Sequence, residues 1–180
     1  MCPYWRGEND NPGQFELFYG EVEDLLSALK FLKQLPYVDP DPDCIYLSGH
    51  STGGTMALLG AVATTEFRAI FSFGGAPNIY NVVSNGEGYG NTPFDYRSPI
   101  SFIDMIVSPT FCFEGEDSFY CKDAEISRKK TKVPLKVFII KNGTHFNILY
   151  PLTQIIARKI LEDTGEKCNI TITKKEVKLW

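Results

Sequence analysis

The sequence is short of histidine and of positive charge, and it has no long apolar run. Only two histidines occur, His50 and His145. Two histidines so far apart, with no CxxC pair beside them, supply no metal-ligand cluster of the spacing that zinc sites use. Eighteen Lys and Arg against 22 Asp and Glu leave a net charge of −4 and a pI near 5.2. That balance argues against a nucleic-acid or anionic-membrane partner. No apolar stretch approaches the ~20 residues a spanning helix needs. The opening MCPYWRGEND lacks the apolar core of a signal peptide. Five cysteines (Cys2, Cys44, Cys112, Cys121 and Cys168) are an odd number without a CxxC pair, so reduced thiols and a cytoplasmic location are expected. Cys44 and Cys112 fall in apolar runs, where cysteine acts as a small buried hydrophobe. Without a secretory leader, the acceptor-like triplets at Asn142 and Asn169 are expected to stay unmodified. GHSTGGT, residues 49–55, lacks the lysine of a phosphate-binding loop. No cofactor is expected.

What is present suits one soluble domain. The 180 residues are 43% hydrophobic and 22% charged, enough for a single sizeable core. Residues 20–35 read as a helix with Val22, Leu25, Leu26, Leu29 and Leu32 on one face and Pro36 as its stop. Residues 39–43, DPDPD, form a turn. Apolar runs at 44–48, 69–73, 110–113 and 135–140 read as buried strands. Residues 55–64, 124–130 and 146–161 read as helices. The alternation predicts right-handed βαβ units in an α/β fold, a three-layer α/β/α sandwich with a mostly parallel sheet. Residues 76–104, rich in Gly, Asn, Pro and aromatics such as Tyr80, Tyr89, Phe94 and Tyr96, depart from the alternation and read as a loop or small cap. Residues 168–180 alternate weakly and read as a hairpin or edge strand.

One stretch carries chemistry. Gly49-His50-Ser51-Thr52-Gly53 matches G-x-S-x-G, directly after a strand and directly before a helix. This is the context of a nucleophile elbow, in which Ser51 stands above the carboxyl edge of the sheet. The turn is tight, so a Cβ at Gly49 or Gly53 is expected to clash with backbone. An ordinary serine N-cap is the competing explanation. A serine nucleophile needs a base. His50 adjoins Ser51 and is expected to point elsewhere, as packing. His145 follows the strand at 135–140 and precedes a helix, on the side that faces the elbow. The base needs an orienting carboxylate. Asp117, in FEGEDS after the strand at 110–113, is the first choice; Glu114, Glu116 and Asp123 are rivals. The chain order Ser51, Asp117, His145 is that of α/β-hydrolases. The backbone N–H of Thr52 is the expected oxyanion donor.

GHSTGGTMALLGA, FRAIFSFGG, RSPISFI, FEGEDS and GTHFNILYP together resemble the catalytic domain of prolyl-oligopeptidase-like members of the α/β-hydrolase superfamily. WRGENDNPG and GEVEDLLSALKFL resemble the segment that precedes the elbow there, so the likeness spans residues 5–163. The spacing Gly115-x-Asp117 is similar to that of dienelactone hydrolases, whereas prolyl-oligopeptidase relatives place the acid one residue later. The resemblance implies four strands ahead of the elbow strand. Only 43 residues precede Cys44, so an N-terminally shortened hydrolase domain is expected, with the elbow strand's outer edge uncovered. The expected activity is serine-type hydrolysis of a carboxylic ester or a peptide bond through an acyl-enzyme, with a small-molecule ester or peptide as substrate. Homo-oligomers are compatible with this reading. The rival expectation is an inactive hydrolase-fold binding module.

Overall fold

The computed structural model describes residues 1–39, 44–83, 93–130 and 134–178. Four parallel strands form one sheet in the order β1-β2-β3-β4. They are β1 (Tyr46–His50), β2 (Ala69–Phe73), β3 (Thr110–Gly115) and β4 (Leu135–Ile140). The helices are α1 (Glu21–Leu32), α2 (Thr52–Ala63), α3 (Cys121–Lys130) and α4 (Leu149–Glu162). The expected α/β architecture is observed, and the sheet is parallel throughout its described strands.

Alternation along each strand divides the core. Phe71, Phe73, Phe111, Phe113 and Phe138 face α4, where Leu152 and Ile156 cover them. Their rings stack from strand to strand: Phe71 on Phe111 at 5.5 Å, Phe73 on Phe113 at 5.3 Å, Phe113 on Phe138 at 5.4 Å. Such cross-strand aromatic pairs hold the register of adjacent strands. Ile70 and Cys112 point the other way, onto Leu29 of α1 and Ala57 and Ala61 of α2. Helix α2 is buried on every side from Gly54 to Ala61, as expected of a helix without a polar face.

Several boundaries differ from the sequence reading, each for a local reason. β1 runs on through Gly49 and His50 to the turn, and it is only partly buried. Among the described residues no strand pairs with its outer edge, so it lacks the cover that the apolar run predicted. Cys44 is exposed ahead of β1, whereas Cys112 is buried as expected and burial pushes its thiol up to about 12. Among the described residues no disulfide joins the cysteines. α2 starts at Thr52 rather than residue 55, directly after the turn. α3 starts at Cys121 rather than 124, and α4 starts at Leu149 rather than 146. In the latter case Thr144 and Asn147 bond to each other first: Thr144 N donates to Asn147 Oδ1 at 2.7 Å, and Asn147 N to Thr144 Oγ1 at 3.1 Å. Pro151 then sits in the first turn of α4, where its missing N–H costs nothing. Most of the DPDPD turn, residues 40–43, lies outside the described residues.

Residues 168–178 form no strand. Ile170 and Ile172 are nonetheless buried against the α4-side core, with Val177, so the alternation reports burial without pairing. A turn follows in which Glu176 accepts from the Thr173 N–H at 2.8 Å and pairs with Lys159 of α4 at 2.7 Å. No helix among the described residues is long and apolar enough to cross a membrane.

Candidate active site

A single residue, Ser51, turns the chain from β1 into α2. Its backbone is at φ 57°, ψ −117°, a conformation that costs a non-glycine residue on the order of 1–3 kcal/mol. Its hydroxyl makes no capping bond to the helix it opens, so the N-cap explanation does not account for a serine here. Surrounding hydrogen bonds hold the strained turn: Ser51 N donates to Phe73 O at 2.9 Å, and Thr55 N to Ser51 O at 3.0 Å. Thr52 opens α2, where the first N–H groups of a helix have no intrahelical acceptor.

The glycines divide differently from the sequence expectation. A Cβ on Gly49 would fall onto the Gly53 backbone, as expected. A Cβ on Gly53 itself would meet nothing within 4 Å, so the expected clash there is corrected. The second crowded position is Gly54, whose Cβ would lie 2.8 Å from Phe73 O and 2.9 Å from Gly75 Cα. Gly53→Ala is therefore expected to be neutral or to stabilise by about 0.5–1 kcal/mol through helix propensity. Gly49→Ala is expected to destabilise and to distort the turn. Urea midpoints of the two variants check this, and equal midpoints would contradict it.

His145 is 7% exposed in the loop after β4. Its ring lies over Gly74, with Nδ1 and Cε1 each 2.8 Å from where a Cβ would stand. Gly74 follows Phe73, the residue whose carbonyl holds Ser51 N. Ser51 and His145 thus flank the same end of β2. The Phe146 ring packs 4.9 Å from the imidazole, Tyr120 at 5.9 Å and Phe119 at 6.4 Å. Burial, and then the nearby His50, hold the His145 pKa below its ordinary value, which leaves the neutral imidazole that a general base must be. Nδ1 of His145 has no hydrogen-bond partner. The hydrogen bonds of the described residues include none between the Ser51 hydroxyl and this imidazole.

The loop after β3 is stitched to the loop that carries His145. Glu116 N donates to Ile140 O and Asp117 N to Gly143 O, both at 2.9 Å, and Asn142 N donates to Glu116 Oε2 at 3.2 Å. The backbone of Asp117 is therefore beside the loop of His145. Its carboxylate is exposed and accepts no hydrogen bond among the described residues. Glu114 is the contrasting rival. It is fully buried at the end of β3, its Oε1 accepts from Gly115 N at 3.0 Å, and its Oε2 has no partner. Asp123 is buried in α3.

Burial raises the Glu114 pKa above the ordinary carboxylate value. A raised acid stabilises the fold below its unfolded pKa, and that contribution is lost as pH rises through the folded value. Glu114→Gln is therefore expected to unfold at higher denaturant than the parent at alkaline pH, with the difference shrinking in acid. A difference independent of pH would show that Glu114 does not titrate in this way.

The segment read as a cap contains short 3₁₀ turns at Ile79–Asn81, Phe94–Arg97, Pro99–Ser101 and Ile103–Met105. Tyr80 meets Phe94 edge-on at 5.4 Å, and Tyr96 stacks near Phe102 at 6.4 Å. Tyr89 lies outside the described residues. Sequence reasoning passed over Arg97 and Ser98. Arg97 is 1% exposed, lies near the rings of Tyr19 and Phe94, and donates to the Glu16 carbonyl. Ser98 Oγ accepts from Ile79 N at 3.0 Å and donates to Phe94 O at 2.8 Å. Arg97 ties the segment to the N-terminal region, and Ser98 ties its 3₁₀ turns to one another. Phe119 and Phe146, 85% and 70% exposed beside the imidazole, were also missed; adjacency to the Asp117 and His145 motifs was the available signal. Among the described residues no group of three or more His, Cys, Asp and Glu could hold a metal ion.

No protein-family model matches the chain. Over 171 residues it is 27% identical to an uncharacterised peptidase, YtmA, of Bacillus subtilis strain 168, covering 81% of this chain and 64% of that protein. The acylaminoacyl peptidase of Pyrococcus horikoshii superposes with a TM-score of 0.66 at 16% identity, over 89% of this chain and 30% of that one. An S-formylglutathione hydrolase of Staphylococcus aureus superposes with a TM-score of 0.61 at 15% identity, over 80% and 64%. The chain thus spans 64% of the length of the curated relative it matches. The parallel sheet, the sharp strand-to-helix turn after its first strand and these structural likenesses show that the chain has the α/β-hydrolase fold.

Proposed function

We propose that the protein is a serine hydrolase that cleaves a carboxylic ester or a peptide bond through an acyl-enzyme on Ser51. One observation carries this reading: Ser51 holds a strained backbone with its hydroxyl free of capping and its N–H on Phe73 O, and the buried His145 ring lies over the next residue, Gly74. Strain of this kind is kept where function uses it. His145 Nε2 takes the Ser51 proton as Oγ attacks the carbonyl carbon. The resulting oxyanion accepts from the Thr52 N–H. When the intermediate collapses, the leaving alcohol or amine takes the proton from His145. Water then repeats the sequence on the acyl-enzyme and releases the acid. Asp117 orients the imidazole by turning its carboxylate to Nδ1 once substrate is bound; catalytic hydrogen bonds are often long or unmade without substrate. The peptidase name of the Bacillus relative and the hydrolase titles of the structural neighbours support this class.

A fluorophosphonate probe is expected to label the protein, and Ser51→Ala to abolish labelling. Labelling that survives in Ser51→Ala overturns the assignment. Asp117→Asn and Glu114→Gln separate the two acids, because only the true partner of Nδ1 slows labelling strongly. A second reading, an inactive binding module, is favoured by the unpartnered Nδ1 and the exposed Asp117 carboxylate. Absence of any Ser51-dependent turnover of p-nitrophenyl acetate would select it.

A further inference from the structure

We propose that His50 is a positioning residue: its imidazole clamps the main chain at His145 and thereby fixes the base relative to Ser51. This rests on the roles given above to Ser51 and His145. His50 Nε2 lies 2.9 Å from the backbone oxygen of His145. A carbonyl only accepts, so Nε2 carries the proton, and the bond survives whether or not Nδ1 is also protonated. The tautomer follows from the partner.

The clamp has a structural reason. His145 is carried by β4, at the far side of the sheet from β1, yet its ring lies over Gly74 at the end of β2. Its loop must therefore reach back across β3. The remaining hydrogen bonds of residues 142–147 stay within that loop, return to the end of β4, enter the first turn of α4, or go to Glu116 and Asp117 next door. Among the described residues, the His50 bond is the one that ties this loop to β1, the strand leading into Ser51. His50 is the residue directly before Ser51, so nucleophile and base are joined by one side chain and one peptide unit. The Phe146 ring, 5.7 Å from His50, closes the contact from the other side.

The pair is also electrostatically linked. The two imidazoles lie 4.8 Å apart at 41°, close enough that a charge on one disfavours a charge on the other. The other groups facing His145 are Gly74 from the end of β2 and the rings of Phe119, Tyr120 and Phe146. Glu116 and Asp117 lie in the adjoining loop. Burial, and then Glu114, raise the Tyr120 pKa above its ordinary value.

The test uses the full chain. His50→Phe keeps a ring but removes the donor; His50→Gln keeps an N–H donor. Fluorophosphonate labelling of Ser51 is expected to slow about ten- to a hundredfold in His50→Phe, the size that small misplacements produce, and to recover largely in His50→Gln. In both variants the His145 titration, read by NMR in a chain with only two histidines, moves upward. Unchanged labelling in His50→Phe, or equal damage in both variants, overturns the clamp. If the parent does not label at all, the serine-hydrolase reading fails separately. The clamp is then judged on the parent's NMR: an exchange-protected Nε2–H on His50 supports it, and an unprotected one overturns it.

Discussion

Replacing Ser51 with glycine is expected to stabilise the protein while removing its reactivity. At φ 57°, ψ −117° a serine Cβ is strained on the order of 1–3 kcal/mol, and glycine escapes that strain. Glycine also gives the unfolded chain more freedom, which takes back about 0.4–1 kcal/mol. The net expected gain is roughly 1 kcal/mol, seen as a higher urea midpoint at unchanged slope. Ser51→Ala keeps the Cβ and the strain, and its midpoint should stay near the parent's. Both variants lose the hydroxyl proposed as the nucleophile. Turnover should fall by up to about 10⁶-fold, the scale set by removing the serine of a triad. A Ser51→Gly protein less stable than Ser51→Ala would show that the turn is not strained. The opposing directions matter: a stability gain together with a loss of labelling is the result expected if Ser51 is kept against its conformational preference for its hydroxyl.

The second large effect is expected at Asp163, far from the site. Asp163 follows α4 and receives Arg68 in a two-pronged pair, Nε to Oδ2 at 2.7 Å and Nη2 to Oδ1 at 2.8 Å. Tyr46 of β1 donates to Oδ2 at 2.8 Å and Asn169 N to Oδ1 at 2.9 Å. Arg68 also reaches the Gly165 carbonyl at 2.6 Å. The two charged side chains are 4% and 0% exposed. Asp163→Ala strands a buried guanidinium, which costs about 3–5 kcal/mol. That is a large share of the ~5–15 kcal/mol by which domains are stable, and it corresponds to a drop in Tm of roughly 6–20 °C. Melting curves of Asp163→Ala and Asp163→Asn measure it; a loss below about 1 kcal/mol would show that the network is incidental.

The same network sets the response to acid. Arg68 above all, helped by Asn169 N and Tyr46, holds the Asp163 carboxyl far below its ordinary range. A depressed acid stabilises the fold above its unfolded pKa, about 3.9, and that contribution is lost as pH falls from there toward the folded value. Glu176, held down to about 2 by Lys159 and then Thr173, acts in the same direction. The parent should therefore lose stability below about pH 4, and Asp163→Asn should show a shallower loss.

Much of this molecule was legible in the amino-acid order, and the parts that were are those local physics controls. Runs such as AIFSF and LKVFII became the strands expected of them. Gly and Pro marked the turns, and residues 49–55 announced a strand-to-helix turn around Ser51. Errors of boundary arose where side chains met backbone unexpectedly, as in the Thr144–Asn147 pair that delays α4. The apolar sequence of β1 spoke only of what the strand could bury; neighbouring strands determine what it does bury. Ile170 and Ile172 show the same limit, since alternation encodes a buried side and carries no information about a pairing partner.

For the candidate site the division is sharper. Residue type and order alone singled out Ser51, His145 and Asp117, because few residues can act as nucleophile, base and acid and the chain has only two histidines. Tertiary structure alone decided which atoms meet. It placed the His145 ring over Gly74, turned His50 onto the His145 carbonyl, left Asp117 exposed and buried Glu114 at the end of β3. Each of these depends on the distance between loops that leave different strands, and on one rotamer among several. Sequence spacing sets neither; the register of the sheet and the packing of its ends do.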